Sequence, residues 1–400
     1  MFEEVASKER RSRNRHCRWW QSCDRRLAAV ENCFDLAGRA SLVVAGADDA
    51  GLGAVTAQMD PFPATPNRDS STPTVELRIG GQPAKLTELQ RPAGDGLVTG
   101  SDGSRLRVVA CGRSCSVPDP AAESPAVFSF DPGFPIAEIV RPYVKPALQL
   151  AMLTAGSAAA VHASAIERDD GAILVAGWSE SGKTEAALAL LEERGAFLSD
   201  KWTVLGADGT ASAFPMPVGL RRWLLPHVPR LRRALPARHR LQLRAAGIAR
   251  TVAHPLRRRG SLPAQAVERA VSLGERVGLR PSELRAAYRH ADDPGRRVPL
   301  RTLALLTTVP DGAVSVAHAP PAWAAERLAV SAAYERRDWY ALADRARYLA
   351  GVRGPAAPDE AIAAERELLR QALANATVIE IKAPYPVDPR QLIDALALYL

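Results

Sequence analysis

The 400 residues suffice for two ordinary domains or for one large domain with an appendage, and the hydrophobic fraction of 47% with 24% charged residues is typical of a soluble globular chain. The formal net charge is +8, and almost all of the surplus lies in the N-terminal segment and between residues 221 and 259, where no acidic residue occurs. Five cysteines, an odd number, and a charged first segment argue against a disulfide framework and a secretory leader, so we expect a cytoplasmic protein.

The first third of the chain is predicted to contain a basic arm and a small β-rich domain. Residues 1–38 are basic and lack a sustained hydrophobic period, which indicates a disordered arm; contact with nucleic acid is the alternative. Between residues 39 and 130, short apolar runs alternate with Gly-Asp-Gly and Ser-Asp-Gly turns, which predicts β-strands. Cys111 and Cys115 lack the second pair that a zinc site needs, so we expect a plain loop there.

Residues 131–400 are predicted to form an α/β domain. The uncharged stretch 146–166 is long enough for a membrane span, but its many alanines, its polar residues and Gly156 favour a buried helix followed by a strand. Apolar runs predict further strands, and longer periodic segments predict helices. The arginine-rich stretch is expected to form a mainly helical insertion over residues 218–298. The predicted strands after it are 300–309 and 377–386, and the predicted helices are 322–349, 358–373 and 389–400.

A glycine-rich loop gives the strongest functional signal. Residues 177–184, GWSESGKT, match G-x-x-x-x-G-K-[ST] at every fixed position. The run AILVAG before the motif predicts a strand and TEAALALLEERG after it predicts a helix, which is the context that phosphate binding requires. Lys183 would reach the β- and γ-phosphates of ATP, and the Thr184 hydroxyl would ligate Mg²⁺. The residues whose backbone would wrap the phosphates are Gly177, Trp178, Ser179, Glu180, Ser181 and Gly182.

Topology predicts two further residues at this loop. The strand before the loop, the helix after it and the strand AFLS form one crossover unit, so both strands should end at the same edge of the sheet. Asp200 follows AFLS and is therefore a predicted Mg²⁺ ligand, although it could instead begin a turn. VHASAIER and GAILVAG should form an antiparallel hairpin that places His162 across from Gly177. A structural and a functional role for His162 both remain open.

These residues resemble a known family. VHASAI, ILVAGWSESGKTEAALALLEERGAFLSD and FPMP are similar to the P-loop domain of HPr kinase/phosphorylase and its serine-kinase relatives, whose core resembles that of phosphoenolpyruvate carboxykinase. The resemblance covers about residues 130–217, with weaker similarity in LRTLALL and in PYPVD. Bacterial proteins with a GGKTE loop and a terminal PYP segment are also similar. The resemblance implies an HPr-kinase-like sheet with helices.

The resemblance also assigns roles to single residues. It makes His162 the active-site histidine, Lys183 the P-loop lysine and Thr184 the Mg²⁺ hydroxyl. Asp200 matches the first of two consecutive acids, and the second, which accepts the proton of the substrate serine, is replaced here by Lys201. The family's later acidic Mg²⁺ ligand and its signature loop are not apparent. His162, Lys183 and Asp200 are therefore the candidate catalytic residues.

Lys201 leaves three outcomes open for the reaction. It could face away from the site because adjacent strand residues alternate sides, with Asp200 or His162 then serving as base. It could lie over the phosphates as a second cation that binds nucleotide and leaves no base. Finally, it could lose its proton through crowding by Lys183 and Mg²⁺, which would require a pKa shift of several units.

The sequence therefore predicts an ATP- and Mg²⁺-dependent kinase of the HPr kinase/serine kinase type. Its acceptor would be the serine hydroxyl of a protein, a peptide or a small molecule. A nucleotide-binding protein with little turnover is the alternative, because a lysine stands where the acid is expected. A nucleic-acid-stimulated ATPase is a third reading of the arginine-rich stretch, which would otherwise be a solvated insertion or a lid over the site. No membrane span is expected, and a homo-oligomer is left open.

Overall fold

The computed structural model is a mixed α/β protein. It describes residues 31–46, 49–66, 72, 74–80, 85–90, 98–169, 171–257, 274–288, 293–349, 351–355 and 357–399. Within these ranges, no helix is both long enough and apolar enough to cross a membrane. Residues 1–30 of the predicted basic arm lie outside the described residues.

The first sheet contains eight strands of the described chain, in the order β1-β2-β3-β8-β7-β6-β5-β4. Neighbouring strands are antiparallel, except that β2 pairs with β3 and β3 with β8 in parallel. The helix α1 (Asp49–Met59) makes the crossover between β2 and β3 and was not predicted. The strands are β1 (Asn32–Leu36), β2 (Ala40–Ala45), β3 (Thr74–Ile79), β4 (Glu88–Gln90), β5 (Val98–Ser101), β6 (Leu106–Ala110), β7 (Arg113–Ser116) and β8 (Ala126–Phe130).

The prediction that residues 1–38 form a disordered arm is wrong for its last residues. β1 pairs with β2 along its whole length, and Phe34 and Leu36 are fully buried. In NCFDL the exposed Asp35 separates the buried Phe34 and Leu36, as expected for an edge strand with one face in the core. The basic residues before it had concealed this short pattern.

The second sheet contains nine strands of the described chain and carries the glycine-rich loop. β10 and β11 form the predicted antiparallel hairpin, and the long β17 pairs in parallel with both β11 and β19. The path of the sheet is β12-β10-β11-β17-β14-β13-β9, with β19 beside β17 and β18 beside β19. The strands are β9 (Ala158–Val161), β10 (Ala163–Arg168), β11 (Gly171–Gly177), β12 (Ala196–Ser199), β13 (Thr203–Gly206), β14 (Thr210–Ala213), β17 (Val298–Val309), β18 (Ser315–His318) and β19 (Thr377–Pro384).

The helices cover the sheets, and several begin at a proline, whose fixed φ and missing N–H suit the first position of a helix. The buried helix α2 (Lys145–Thr154) lies in the stretch that was long enough for a membrane span. It follows a helical turn at Ala137–Ile139 and a π-helical turn at Val140–Val144. The predicted helix over residues 322–349 is divided at Arg336. The remaining helices are α2 (Lys145–Thr154), α3 (Lys183–Glu193), α4 (Pro229–Ala234), α5 (Ala237–Arg257), α6 (Pro281–Ala287), α7 (Pro321–Glu335), α8 (Arg337–Tyr348), α9 (Pro358–Ala372) and α10 (Pro389–Leu396).

The arginine-rich insertion contains helices, as predicted, but part of residues 218–298 forms a small sheet at its base. β15 (Val218–Arg221) pairs with β16 (Arg276–Leu279), and these strands were not predicted. Between them lie a 3₁₀ turn (Arg222–Leu224), α4 and α5, while residues 258–273 are outside the described chain. Leucines of this segment pack into the hydrophobic cluster that also contains α3. Apolar side chains therefore anchor the insertion beside the glycine-rich loop, and most of its described arginines are exposed.

Candidate functional site

The glycine-rich loop, residues 177–182, joins the end of β11 to the start of α3, as predicted. Gly177 has a φ of +151°, and a Cβ there would lie 2.6 Å from Ser181 Oγ and 2.7 Å from the Leu306 carbonyl oxygen. Gly182 has a φ of +96° and precedes the first residue of α3. Only glycine suits these two positions, because an added side chain would clash at the first and be strained at both. The motif glycines therefore set the path of the loop.

Lys183 closes this loop. Its Nζ donates hydrogen bonds to the carbonyl oxygens of Gly177 at 3.0 Å and of Trp178 at 2.6 Å. Burial lowers the pKa of Lys183 to about 8, although Asp200 and other nearby carboxylates favour its charged form. The buried Ser181 Oγ has no hydrogen-bond partner among the described residues. An ammonium group and an unpaired hydroxyl thus lie at the start of a helix, where an anion is stabilised.

Thr184 and Asp200 are in direct contact, as the topology predicted. Thr184 Oγ1 donates to Asp200 Oδ1 at 2.9 Å, and the Ser164 hydroxyl donates to the same oxygen. β12 is parallel to β11, although β10 lies between them in the sheet, so the two strands do end at one edge. Asp200 is 4% exposed, its carboxylate accepts these two hydroxyl hydrogen bonds, and its carbonyl oxygen accepts the Trp202 N–H at 2.8 Å, so it also begins the tight turn at Lys201. A hydroxyl and a carboxylate therefore converge in front of Lys183.

His162 lies beside the loop, as the hairpin register predicted. Ala163 pairs with Ala176, which places His162 next to Gly177, and the imidazole packs 5.9 Å from the ring of Trp202. Burial, with added repulsion from the charges of Lys183 and Lys201, lowers the pKa of His162 to about 3. The imidazole is therefore neutral at neutral pH, and its Nδ1, 3.6 Å from a carboxylate oxygen of Glu335, makes no ion pair.

Lys201 does not face away from the site, so that outcome of the sequence prediction is wrong. β12 ends at Ser199, and Lys201 has a left-handed φ of +67°, which breaks the alternation of a strand. Asp200 and Lys201 both line the cavity of about 160 Å³ in front of the glycine-rich loop, named here the loop cavity. Burial, followed by repulsion from Arg141, lowers the pKa of Lys201. Its Nζ lies 3.9 Å from Glu335 Oε2.

The structure adds residues that the sequence did not indicate. Glu335, the last residue of α7, enters the loop cavity between His162 and Lys201. Arg221 and Arg276 enter it from β15 and β16. No motif or spacing marks Glu335 and Arg276, which come from distant segments, whereas Arg221 begins the arginine-rich stretch that the sequence offered as a lid over the site. Tyr385 also lines this cavity; its PYP segment was noted in the sequence as a weak similarity without a role.

The exposed residues of the glycine-rich loop contact the two flanking segments. Glu180 Oε1 accepts a hydrogen bond from Arg221 at 2.6 Å, while Ser179 lines the loop cavity. Trp178 is 49% exposed, and its ring packs against the Tyr334 ring with centroids 4.6 Å apart and an interplanar angle of 37°. The arginine-rich insertion therefore contacts the loop at Glu180, and the end of α7 contacts it at Trp178. With Tyr385, the site draws on four separate regions of the sequence.

No protein-family model matches this chain, and no curated protein matches its sequence.

Proposed function

We propose that this protein is a P-loop phosphotransferase of the HPr kinase/serine kinase type, which transfers the γ-phosphoryl group of ATP to a hydroxyl group. The observation that carries the proposal is the contact of 2.9 Å between Thr184 Oγ1 and Asp200 Oδ1 beside the Lys183 ammonium group. Phosphoryl transfer depends mainly on positioning and on neutralising charge, and these residues supply both. The sequence resemblance over residues 130–217 agrees with the same assignment.

The residues present fit Mg²⁺. Magnesium in nucleotide sites usually takes one or two protein oxygens, phosphate oxygens and water, so a hydroxyl and a carboxylate suffice without a larger cluster of ligands. Within the described chain there is no group of three or more His, Cys, Asp or Glu side chains that could hold a metal by themselves. Thr184 and Asp200 would hold the ion. When bound, Mg²⁺ would neutralise negative charge on the nucleotide phosphates.

We assign Glu335 as the carboxylate that accepts the proton of the acceptor hydroxyl. The Asp200 carboxylate accepts hydrogen bonds from the hydroxyls of Thr184 and Ser164, and the Glu180 carboxylate accepts one from Arg221. Glu185 is buried in the first turn of α3, and burial raises its pKa. Glu335 lines the loop cavity with its oxygens 3.6 Å from His162 Nδ1 and 3.9 Å from Lys201 Nζ. It would do the work of the acid that Lys201 replaces.

The proposed step balances as a simple displacement. The acceptor hydroxyl oxygen forms a bond to the γ-phosphorus, and the bond from that phosphorus to the β–γ bridging oxygen breaks. The bonding electron pair leaves with ADP, and the hydroxyl proton passes to the Glu335 carboxylate. Lys183 holds the phosphates through charge, and neutral His162 excludes water beside Gly177 because it is buried against Trp202.

Binding and transfer are tested together with radiolabelled ATP. Mg-ATP affinity is measured by calorimetry, and transfer by the appearance of labelled acceptor in a panel of hydroxyl compounds, serine peptides and proteins. Lys183→Ala should abolish both, while Lys382→Ala, an exposed lysine on β19, should change neither. Glu335→Gln should retain Mg-ATP binding and lower transfer by about 10²–10⁴. Absence of ATP and GTP binding with or without Mg²⁺ would refute the proposal.

A binding protein with little turnover is the second candidate, because Lys201 lies inside the loop cavity. In that case the wild type binds Mg-ATP without forming product, and Lys201→Asp would raise transfer by restoring an acid. The nucleic-acid-stimulated ATPase predicts instead that DNA or RNA accelerates hydrolysis, with steep salt dependence. Hydrolysis rates with and without duplex and single-stranded nucleic acid separate these cases.

A further inference from the structure

A second cavity adjoins the loop cavity and is rich in arginine. It has a volume of about 660 Å³ and lies between the small sheet β15–β16 and the π-helical turn that precedes α2. Lys201, Arg221 and Arg276 line both cavities, so the two spaces meet at these side chains. A molecule in this space, named here the arginine cavity, would therefore lie next to the place where the P-loop holds phosphate.

The arginine cavity has an excess of positive charge. Six cations line it with only two carboxylates, those of Glu180 and Glu275. Glu180 is bonded to Arg221, and Glu275 is shared between two arginines at 3.3 and 2.8 Å. Among the described residues, no carboxylate forms an ion pair with Arg141 or Arg276. The lining cations are Arg141, Lys201, Arg221, Arg222, Arg250 and Arg276.

A glycine leaves room for one of these cations at the cavity. Gly219 and Gly278 are opposite each other in the register of β15 and β16 and both line the arginine cavity. A Cβ at Gly219 would lie 2.4 Å from the Nη2 atom of Arg276, so the guanidinium occupies the space that a side chain would fill. Lys201 lines the same cavity as Arg141 and Arg276, so three cations from separate elements face one space.

We infer that the arginine cavity binds the phosphoryl acceptor, and that this acceptor is a small hydroxyl compound carrying a carboxylate or phosphate group. The inference rests on the proposed phosphotransferase function and names its substrate class. A volume of about 660 Å³ is within the range of small-molecule sites, roughly 300–1,000 Å³. Guanidinium groups bind carboxylates and phosphates through paired hydrogen bonds. An anion held there would bring its hydroxyl towards Lys201 and Glu335, where the loop cavity begins.

The experiment uses a series of probes that share hydroxyl groups and differ in charge: glycerol, glycerate, glycerol 3-phosphate and 3-phosphoglycerate. Binding to the full chain with the non-hydrolysable analogue of Mg-ATP is measured by calorimetry, and transfer is measured with labelled ATP. Affinity should rise with the negative charge of the probe and fall with salt. Glycerol should bind at least tenfold more weakly than its anionic relatives.

Two variants place the effect in the cavity. Arg141→Met should weaken binding of the anionic probes by at least tenfold and leave Mg-ATP affinity within about threefold, because Arg141 lines the arginine cavity and not the loop cavity. Arg250→Met is a second variant should the first fail to fold. Arg244→Met is the matched control for Arg250→Met, since Arg244 is exposed in the same arginine-rich insertion and lines neither cavity. It should change neither affinity.

The outcomes separate this inference from the proposed function. Mg-ATP binding without any preference for anionic probes would overturn the acceptor assignment and leave the phosphotransferase proposal standing. Loss of Mg-ATP binding, but not of probe binding, in Arg141→Met would overturn it too, because the cavity would then belong to the nucleotide. Transfer to an acidic peptide in preference to every small anion would also contradict it. Failure of the wild type to bind Mg-ATP would instead contradict the proposed function itself.

Discussion

The lowered pKa of Lys183 predicts that Mg-ATP affinity falls as pH rises above about 8. The ammonium group titrates at about 8 in the free protein, and nucleotide phosphates beside it would raise this pKa. Only the charged form binds well, so full affinity is present below the free-state pKa and is lost above it. The charged fraction falls from about nine-tenths at pH 7 to about one-tenth at pH 9, which weakens Kd about tenfold, or about 1.4 kcal/mol.

Calorimetry in two buffers of different ionisation enthalpy measures both the affinity and the proton that binding takes up. Lys183→Arg provides the control, because a guanidinium group stays charged over this range and should give a pH-independent Kd. Lys201→Met should move the decline to higher pH, since the charge of Lys201 contributes to the lowered pKa of Lys183. A wild-type Kd that is constant from about pH 7 to about pH 9, without proton uptake, would refute this reasoning.

Two further predictions concern the loop and the core. Gly177→Ala should weaken Mg-ATP binding at least tenfold and destabilise the fold by about 1–3 kcal/mol, because its Cβ would lie 2.7 Å from the Leu306 carbonyl oxygen at a positive φ. Gly53→Ala lies in a helix where the added Cβ would meet nothing within 4 Å, so it should stabilise the fold by about 0.5–1 kcal/mol. Thermal unfolding of the two variants measures both changes in stability. Glu365→Gln should lower the free energy of unfolding in urea by about 3–5 kcal/mol, because it leaves the fully buried Arg336 without its carboxylate. Replacing both, Arg336→Met with Glu365→Leu, should come within about 2 kcal/mol of the wild type, and an equal loss in the double variant would contradict the charge argument.

The parts of the site that the sequence predicted are those built from neighbouring elements. The motif fixed the glycine-rich loop because its glycines tolerate backbone angles that other residues do not. Counting from a tight turn placed His162 beside Gly177, and the crossover rule brought Asp200 to the edge occupied by Thr184. These inferences need only strand direction and register, which local patterns determine.

Other features depended on residues far apart in the chain. Strand alternation permitted Lys201 to face away, but the chain leaves β12 in a left-handed conformation and brings it into the loop cavity. Glu335 arrives there from the end of a helix that shows no functional pattern. β1 was hidden by the basic residues before it, and β15 and β16 by the many arginines between them. Patterns within single segments of sequence do not reveal contacts between residues that are far apart in the chain.

The amino-acid sequence by itself determined the glycine-rich loop, its lysine and threonine, and the positions of His162 and Asp200, because backbone geometry and strand register are local properties. Only the tertiary structure decided which charges surround that loop. The lowered pKa values of Lys183 and His162, and the excess of arginine in the adjoining cavity, arise from burial and from side chains of distant segments. Electrostatic environment depends on distances in space, and those distances exist only after the chain has folded.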